Sequence, residues 1–414
     1  MKEALRAYGV IEVAPGEPCV AARIGGQIVD LRGLQADGVI ASAGLTEDVF
    51  AAPSLNRFMA LGADVWREVD DRVVELSHAG FPPQAVVRDG TRTAGVEAAD
   101  PGRDAGRDVT TLLPFEVADY CDFYASESHV SNMGKILRPG TDPLPPAWRH
   151  IPIGYHGRAG TVVASGTPIR RPIGVVSGPD PASEQNGPRR EPSSRLDLEV
   201  ELGFVVGTPS IYGEPVPVDD AREHIFGVVV VNDWSARDIQ AFEYQPLGPF
   251  LGKSFATSIS TWVVPLSALD EYRTDGPEQG TEVPYNLVSK QPRALDIHFE
   301  LSINSTVLSR PEARVARWSL EQFVTHLTSN GATLRTGDLL ASGTLSGEDP
   351  GTFGSMMELA WGGTKPVRLD DGSVRVWLED GDEVSIGAWC GGSAGNALEL
   401  GTVMGVVTGA SPGD

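Results

Sequence analysis

The sequence predicts a mostly β protein of the α+β class, a small N-terminal unit followed by a larger β-rich domain. Three observations predict this. The 414 residues exceed one ordinary core, at roughly 100–200 residues per domain. The 48 Gly and 31 Pro favour turns and short strands over long helices. The apolar runs are short and separated by Pro and Gly.

In chain order, residues 8–31 alternate apolar and polar around Gly25-Gly26, which predicts short strands with a hairpin. Residues 53–77 carry helical spacing through Leu55, Phe58, Met59, Leu61 and Val65. From Asp89 to Thr110 the chain has almost no large apolar side chain, the composition of a linker or mobile loop. The boundary then falls near 112, with units 1–112 and 113–414. Strand-like runs follow at 151–153, 161–164, 196–206, 226–232, 261–265 and 294–303. Segment 366–389 reads as three strands joined by Asp370-Asp371-Gly372 and Asp380-Gly381-Asp382. Loops at 175–194 and 270–283 show no periodicity.

The charge of −23 repels nucleic acid and anionic membrane, so neither is an expected partner. An acidic substrate would be repelled as well, unless a local cluster of Arg, Lys or metal ion received it. Cys19, Cys121 and Cys390 are odd in number and scattered, which suits a reducing cytoplasm and no disulfide framework. The opening Met-Lys-Glu-Ala-Leu-Arg lacks a signal peptide's apolar run, and Val228–Val231 is too short to span a bilayer.

In Leu196-Asp197-Leu198-Glu199-Val200-Glu201-Leu202, a strand's period of two places Asp197, Glu199 and Glu201 on one face. A solvated face is the plain reading. A shared cation is the chemical one, and an oxygen-only set suits magnesium or calcium better than zinc. The apolar run 226–231 ends in Asn232-Asp233-Trp234, where Asp233 could cap a helix or join the acids. Beyond it, Asp233, Arg237, Gln240 and Tyr244 recur at i, i+4, i+7 and i+11, a polar stripe unlike the apolar stripe of a core helix. Gly248-Pro249-Phe250-Leu251-Gly252-Lys253-Ser254 is no phosphate loop, because one residue is missing between the glycines and Pro249 lacks an amide donor. Lys253 still adds a cation near the stripe. His129, after Asp122-Phe123-Tyr124, and His156, in Gly154-Tyr155-His156-Gly157-Arg158, compete as the catalytic imidazole; on residue chemistry they are equal, and a lone histidine is more often structural.

These stretches, with Ser165 to Pro172, Asn232 to Gln240, Pro246 to Phe255 and Gly354 to Leu359, resemble the fumarylacetoacetate hydrolase family over nearly the whole chain. The resemblance implies a small SH3-like N-terminal barrel, a catalytic domain with the family's β-sandwich roll, and a homodimer. It implies hydrolysis of a carbon-carbon bond in a β-diketo acid, fumarylacetoacetate foremost, at the last step of tyrosine and phenylalanine catabolism. Asp122, Glu199, Glu201 and Asp233 would then ligate a divalent cation, Mg2+ or Ca2+, with Asp197 a neighbour. His129 would activate water, oriented by Glu358. Arg237, Gln240 and Lys253 would surround the developing oxyanion, while Tyr124, Arg138, Tyr155, Tyr244 and Thr344 would contact substrate. The sequence departs from the family pattern at Ser126-Glu127-Ser128, where a change of pocket charge is expected, and at Ala397 to Gly401, where a structural change is. The alternative is a related hydrolase, hydratase or decarboxylase acting on another diketo acid. A non-catalytic cation-binding scaffold would be expected to lack His129 or Glu358.

Overall fold

The structure is a computed structural model that describes residues 6–87, 92–93, 109–178, 187–291, 293–391 and 397–410, the side chains of 92 and 93 excepted. The linker predicted from Asp89 to Thr110 lies almost wholly outside the described residues.

The N-terminal alternation forms three strands, Arg6–Glu12, Pro18–Ile24 and Gln27–Asp30, paired antiparallel in sequence order. Gly25 and Gly26 turn the second pair at φ 56° and 84°, the left-handed backbone a two-residue hairpin requires. The helical spacing of 53–77 is divided into Asn56–Met59 and Ala63–Ala79, because Gly62 between them sits at φ 90°. The longer helix buries Trp66, Val69, Val73 and Leu76 on one stripe. Asp70 on that stripe is also buried, but Arg6 Nε at 2.6 Å and the Tyr8 hydroxyl at 2.9 Å pair its charge.

This unit does not stand apart from the rest. Tyr8 pairs with Val263 and Gly9 with Trp262, so one sheet runs through both units. Its order is Val86–Val87, Gln27–Asp30, Pro18–Ile24, Arg6–Glu12, Trp262–Pro265, Ile225–Asp233, Val200–Val206, Leu339–Ala341, Tyr120–Phe123 and Gly154–His156. A second sheet, in the order Ile169–Arg170, Leu398–Thr408, Glu383–Cys390, Ile297–Ile303 and Thr306–Ser309, packs over it. Leu202, Val228 and Val230 of the first share a core with Phe299, Leu301, Ile386 and Val403 of the second. On the other face Val229, Val231 and Val263 join Phe58 and Trp66. The strand Ile225–Asp233 is therefore buried along its whole length, which explains an apolar run without alternation.

Gly227 in that strand has no room for a side chain: an added Cβ would lie 2.3 Å from the Val264 carbonyl oxygen. Backbone cannot yield as a side-chain tip can, so Gly227→Ala should lower the unfolding free energy by about 3 kcal/mol. A urea midpoint equal to that of the parent protein would contradict this packing.

Two expected elements differ. The strand at 196–206 is broken into Leu196–Asp197 and Val200–Val206, because the first part pairs with Ser235–Ala236 and the second with Ile225–Asp233. Of the three strands expected in 366–389, Val367–Arg368 and Val374–Arg375 form a hairpin, but Glu383–Cys390 pairs with Ile297–Ile303 and Leu398–Thr408 instead. Arg375 reaches across to Asp382 with both Nε and Nη2 and takes the place of backbone pairing there. Ala397 to Gly401 enters the second sheet through the strand Leu398–Thr408, a structural position. Among the described residues no helix is long and apolar enough to cross a membrane.

Candidate active site

A cavity of about 330 Å³ opens beside the ends of the strands Tyr120–Phe123, Val200–Val206 and Ile225–Asp233. Twelve of the fourteen residues to which the resemblance gives a role in the site line it: Asp122, Tyr124, His129, Arg138, Tyr155, Glu199, Glu201, Arg237, Gln240, Tyr244, Lys253 and Thr344. Asp233 and Glu358 stand directly behind its wall, bonded to Lys253 and His129 respectively.

Each side chain has a local reason to be there. Ser126 caps the helix Glu127–Leu137 by accepting from the His129 amide, which fixes His129 in the first turn. This settles the first departure from the family pattern. Ser126 is a cap whose hydroxyl also reaches the Ser346 carbonyl, and Glu127 pairs with Arg149, so none of 126–128 lines the cavity. The polar stripe is only partly one helix. Asp233 ends a strand, Arg237–Glu243 is helical, and Tyr244 caps it, yet Arg237, Gln240 and Tyr244 still share one wall.

His129 and His156 part company in space. The His129 ring is buried, its Nδ1 lies 2.7 Å from Glu358 Oε2, and Tyr124 stands edge-on to it at 5.4 Å between ring centroids. His156 is exposed outside this cavity, in a strand that turns only Gly154 and Tyr155 toward it. With Nδ1 bonded to a carboxylate, the imidazole keeps its proton there and presents Nε2 as a base. Burial alone would raise the Glu358 carboxyl, but His129 and the hydrogen bonds from Asn132 and Ser346 more than offset it and hold the group ionised below its usual range.

The acids divide into two sets. One oxygen each from Asp122, Glu201 and Asp233 lie within 4.8 Å of one another, and all three residues are buried. Burial first, and mutual repulsion second, raise Asp122 and Glu201; burial also raises Asp233, with Lys253 opposing. Asp122 Oδ1 and both Glu201 oxygens are buried without a hydrogen-bond partner among the described residues. Oxygens left this way are donors awaiting a cation, so the residues fit a divalent ion with oxygen ligands.

Glu199 is oriented otherwise. Its Oε1 accepts from Arg237 Nη2 at 2.6 Å, and its Oε2 from the Lys253 ammonium. Burial raises this carboxyl, yet Arg237 and Lys253 overcome that and hold it well below the usual carboxylate range. Glu199 lines the cavity, with its Oε1 3.8 Å from His129 Nε2. The structure does not bring it into the converging set of Asp122, Glu201 and Asp233, because both its oxygens are engaged by Arg237 and Lys253. Asp197 anchors the whole group. It accepts from Arg237 Nε at 2.7 Å and from the Met356 amide at 2.8 Å, and so joins the cation to the short helix that carries Glu358.

The remaining walls are donors and rings. Arg237 Nη1 donates to the Gln240 side-chain oxygen at 3.0 Å, which leaves the Gln240 amide hydrogens to face the cavity. Tyr155 donates to Asp233 at 3.2 Å. Arg138, the exposed C-cap of the His129 helix, sits at the rim. Reading from sequence missed three groups: Asn132, Ser346 and Ser355, which all donate to Glu358. Asn132 had a signal, since it lies three residues beyond His129 on the same helix face.

Residues 119–408 match the family described as fumarylacetoacetate (FAA) hydrolase C-terminal, and residues 7–100 match fumarylacetoacetase N-terminal. The human fumarylacetoacetase is 42% identical over 398 residues, covering 93% of this chain and 91% of its own. The Arabidopsis thaliana fumarylacetoacetase is 37% identical over 414 residues, covering 98% and 95%. Among solved structures, a fumarylacetoacetate hydrolase from Exiguobacterium antarcticum shares the fold with a TM-score of 0.56 at 16% identity, over 98% of this chain and 99% of that one.

Proposed function

The chain belongs to the fumarylacetoacetate hydrolase family, and from that premise we propose that it hydrolyses fumarylacetoacetate to fumarate and acetoacetate, breaking one carbon-carbon bond. The observation that carries the reading is the juxtaposition, in one cavity, of the His129–Glu358 pair with the buried acids Asp122, Glu201 and Asp233.

His129 Nε2 takes a proton from water while Glu358 holds Nδ1–H and balances the imidazolium that forms. The hydroxide so generated attacks a carbonyl carbon of the substrate. Collapse of the alkoxide then expels the other half as an enolate, which is protonated. The charge of Arg237 and Lys253 and the free Gln240 amide face the oxygens where negative charge develops. A divalent cation, held by Asp122, Glu201 and Asp233 with Glu199 at hand, would supply Lewis-acid polarisation of the diketone oxygens. The oxygen-only donor set favours Mg2+ or Ca2+ as that cation. Tyr124, Tyr155, Tyr244 and Thr344 present rings and hydroxyls to the substrate body.

Incubating the purified protein with fumarylacetoacetate and with acylpyruvates, and following products by NMR, tests this reading. Fumarate and acetoacetate should appear fastest. Preferential cleavage of an acylpyruvate would transfer the function to a related diketo acid. A homodimer in the cytoplasm belongs to the same proposal, and the charge of −23 supports its engaging neither nucleic acid nor anionic membrane. Light scattering on the eluting protein checks the dimer.

Arg138 should set selectivity for acidic substrate. It is exposed at the rim, so water screens its charge and the contact is worth only about 1 kcal/mol. Arg138→Met should therefore lower kcat/KM for the acidic substrate about fivefold and leave an uncharged β-diketone unaffected. Equal losses on both would assign Arg138 to the fold alone.

A further inference from the structure

Glu358 is 1% exposed and yet accepts four side-chain hydrogen bonds. They are not evenly shared. Oε2 receives His129 Nδ1 at 2.7 Å, Ser346 Oγ at 2.7 Å and Ser355 Oγ at 2.9 Å. Among the described residues Oε1 receives a single side-chain donor, Asn132 Nδ2 at 2.9 Å. His129 and Asn132 stand three residues apart on the helix Glu127–Leu137, so one carboxylate bridges two positions of the same helix face, one oxygen to each.

We propose that Asn132 is a positioning residue for the hydrolytic reaction: its amide fixes the rotation and the ionised state of Glu358, and through Glu358 it fixes the tautomer and the aim of the His129 imidazole. The inference rests on the functional reading above in one respect, that His129 acts as the base. Its physical basis is the asymmetry at Oε1. Without Asn132 that oxygen is a buried anionic atom with no donor, which costs far more than a lost hydrogen bond between neutral groups. The carboxylate can relieve this cost by turning toward its three donors on the other side or by capturing a proton from solvent. Either change spoils the base. Turning misaligns the imidazole, and capture leaves a neutral acid that cannot balance an imidazolium. Ser346 and Ser355 cannot substitute, since both already point at Oε2 and are held by the Gly354 and Glu358 amides respectively.

The role predicts an effect on turnover and not on binding. Asn132 does not line the substrate cavity, so KM should hold while kcat falls. Two variants test it. Asn132→Leu keeps the volume and removes the donor; kcat should fall roughly tenfold to a hundredfold, with KM within about twofold and a thermal midpoint lowered by the unpaired buried oxygen. Asn132→Asp supplies a carboxyl that donates only when protonated. Its kcat relative to the parent protein should rise as pH falls, because the O–H then replaces the amide at Oε1. A pH-independent ratio would overturn the proposal, and so would an Asn132→Leu variant whose KM rises in step with its loss of kcat, as a packing residue's does. Should Asn132→Leu fail to fold, the pH ratio of Asn132→Asp decides alone. These readouts use whichever β-diketo acid the parent protein cleaves, so a failure of fumarylacetoacetate as substrate would show separately.

Discussion

Dialysis of the purified protein against a chelator should abolish turnover and lower the thermal midpoint, and magnesium or calcium should restore both. The reason lies in Asp122, Glu201 and Asp233, whose charges burial and mutual repulsion make costly in the metal-free protein. Lys253 relieves Asp233, but Asp122 Oδ1 and the two Glu201 oxygens have no donor among the described residues. Binding at a hundredfold excess over Kd would add about 2.7 kcal/mol of stability. The pH dependence has a definite sign. Because the folded values are raised, the folded metal-free protein binds more protons than the unfolded chain once pH exceeds the ordinary carboxylate range, so its stability falls as pH rises from there through the raised values. The cation displaces those protons, and its stabilising effect should therefore grow over the same window. Glu201→Gln, which keeps the shape and removes one charge, should stabilise the metal-free protein and weaken the cation. Full activity after rigorous metal removal, or a melting curve indifferent to the ion, would end this account.

Why some of this site could be read from sequence and some could not is a matter of which distances are local. Asp233 and Glu201 lie at or near strand ends that periodicity marks, and the polar spacing of Arg237, Gln240 and Tyr244 survives although Asp233 belongs to a strand and not to the helix. The sandwich follows from alternation in Ile297–Ile303 and Glu383–Cys390, whose buried and half-buried residues take turns. The orientation of Glu199 was not legible. It depends on the break in the ladder at 198–199, where the Asn232 side chain takes the Glu199 amide at 3.1 Å, and no strand period encodes that. Nor could chemistry choose between His129 and His156, because the deciding partner, Glu358, is 229 residues away. The hydroxyls of Ser346 and Ser355 are similarly silent until the fold brings them to Glu358.

His129→Ala should reduce kcat about a thousandfold while cation binding, followed by calorimetry, stays nearly intact. The imidazole contacts neither Asp122 nor Glu201 nor Asp233 by hydrogen bond, and its loss leaves their geometry alone. Glu358→Gln should cost less, about ten to a hundredfold. The amide oxygen of the new side chain can still accept from Nδ1, and Asn132 can turn its own amide to accept from the new NH2 group. The tautomer therefore survives, and what is lost is the negative charge that steadies the imidazolium. Glu358 has no route to the water except through His129, since it stands behind the wall that His129 lines. Once His129 is absent the charge has nothing to act on, and the double variant should be no slower than His129→Ala alone. A double variant slower by the product of the two single effects would mean that Glu358 acts on the reaction independently, and the pair would have to be abandoned as one catalytic unit.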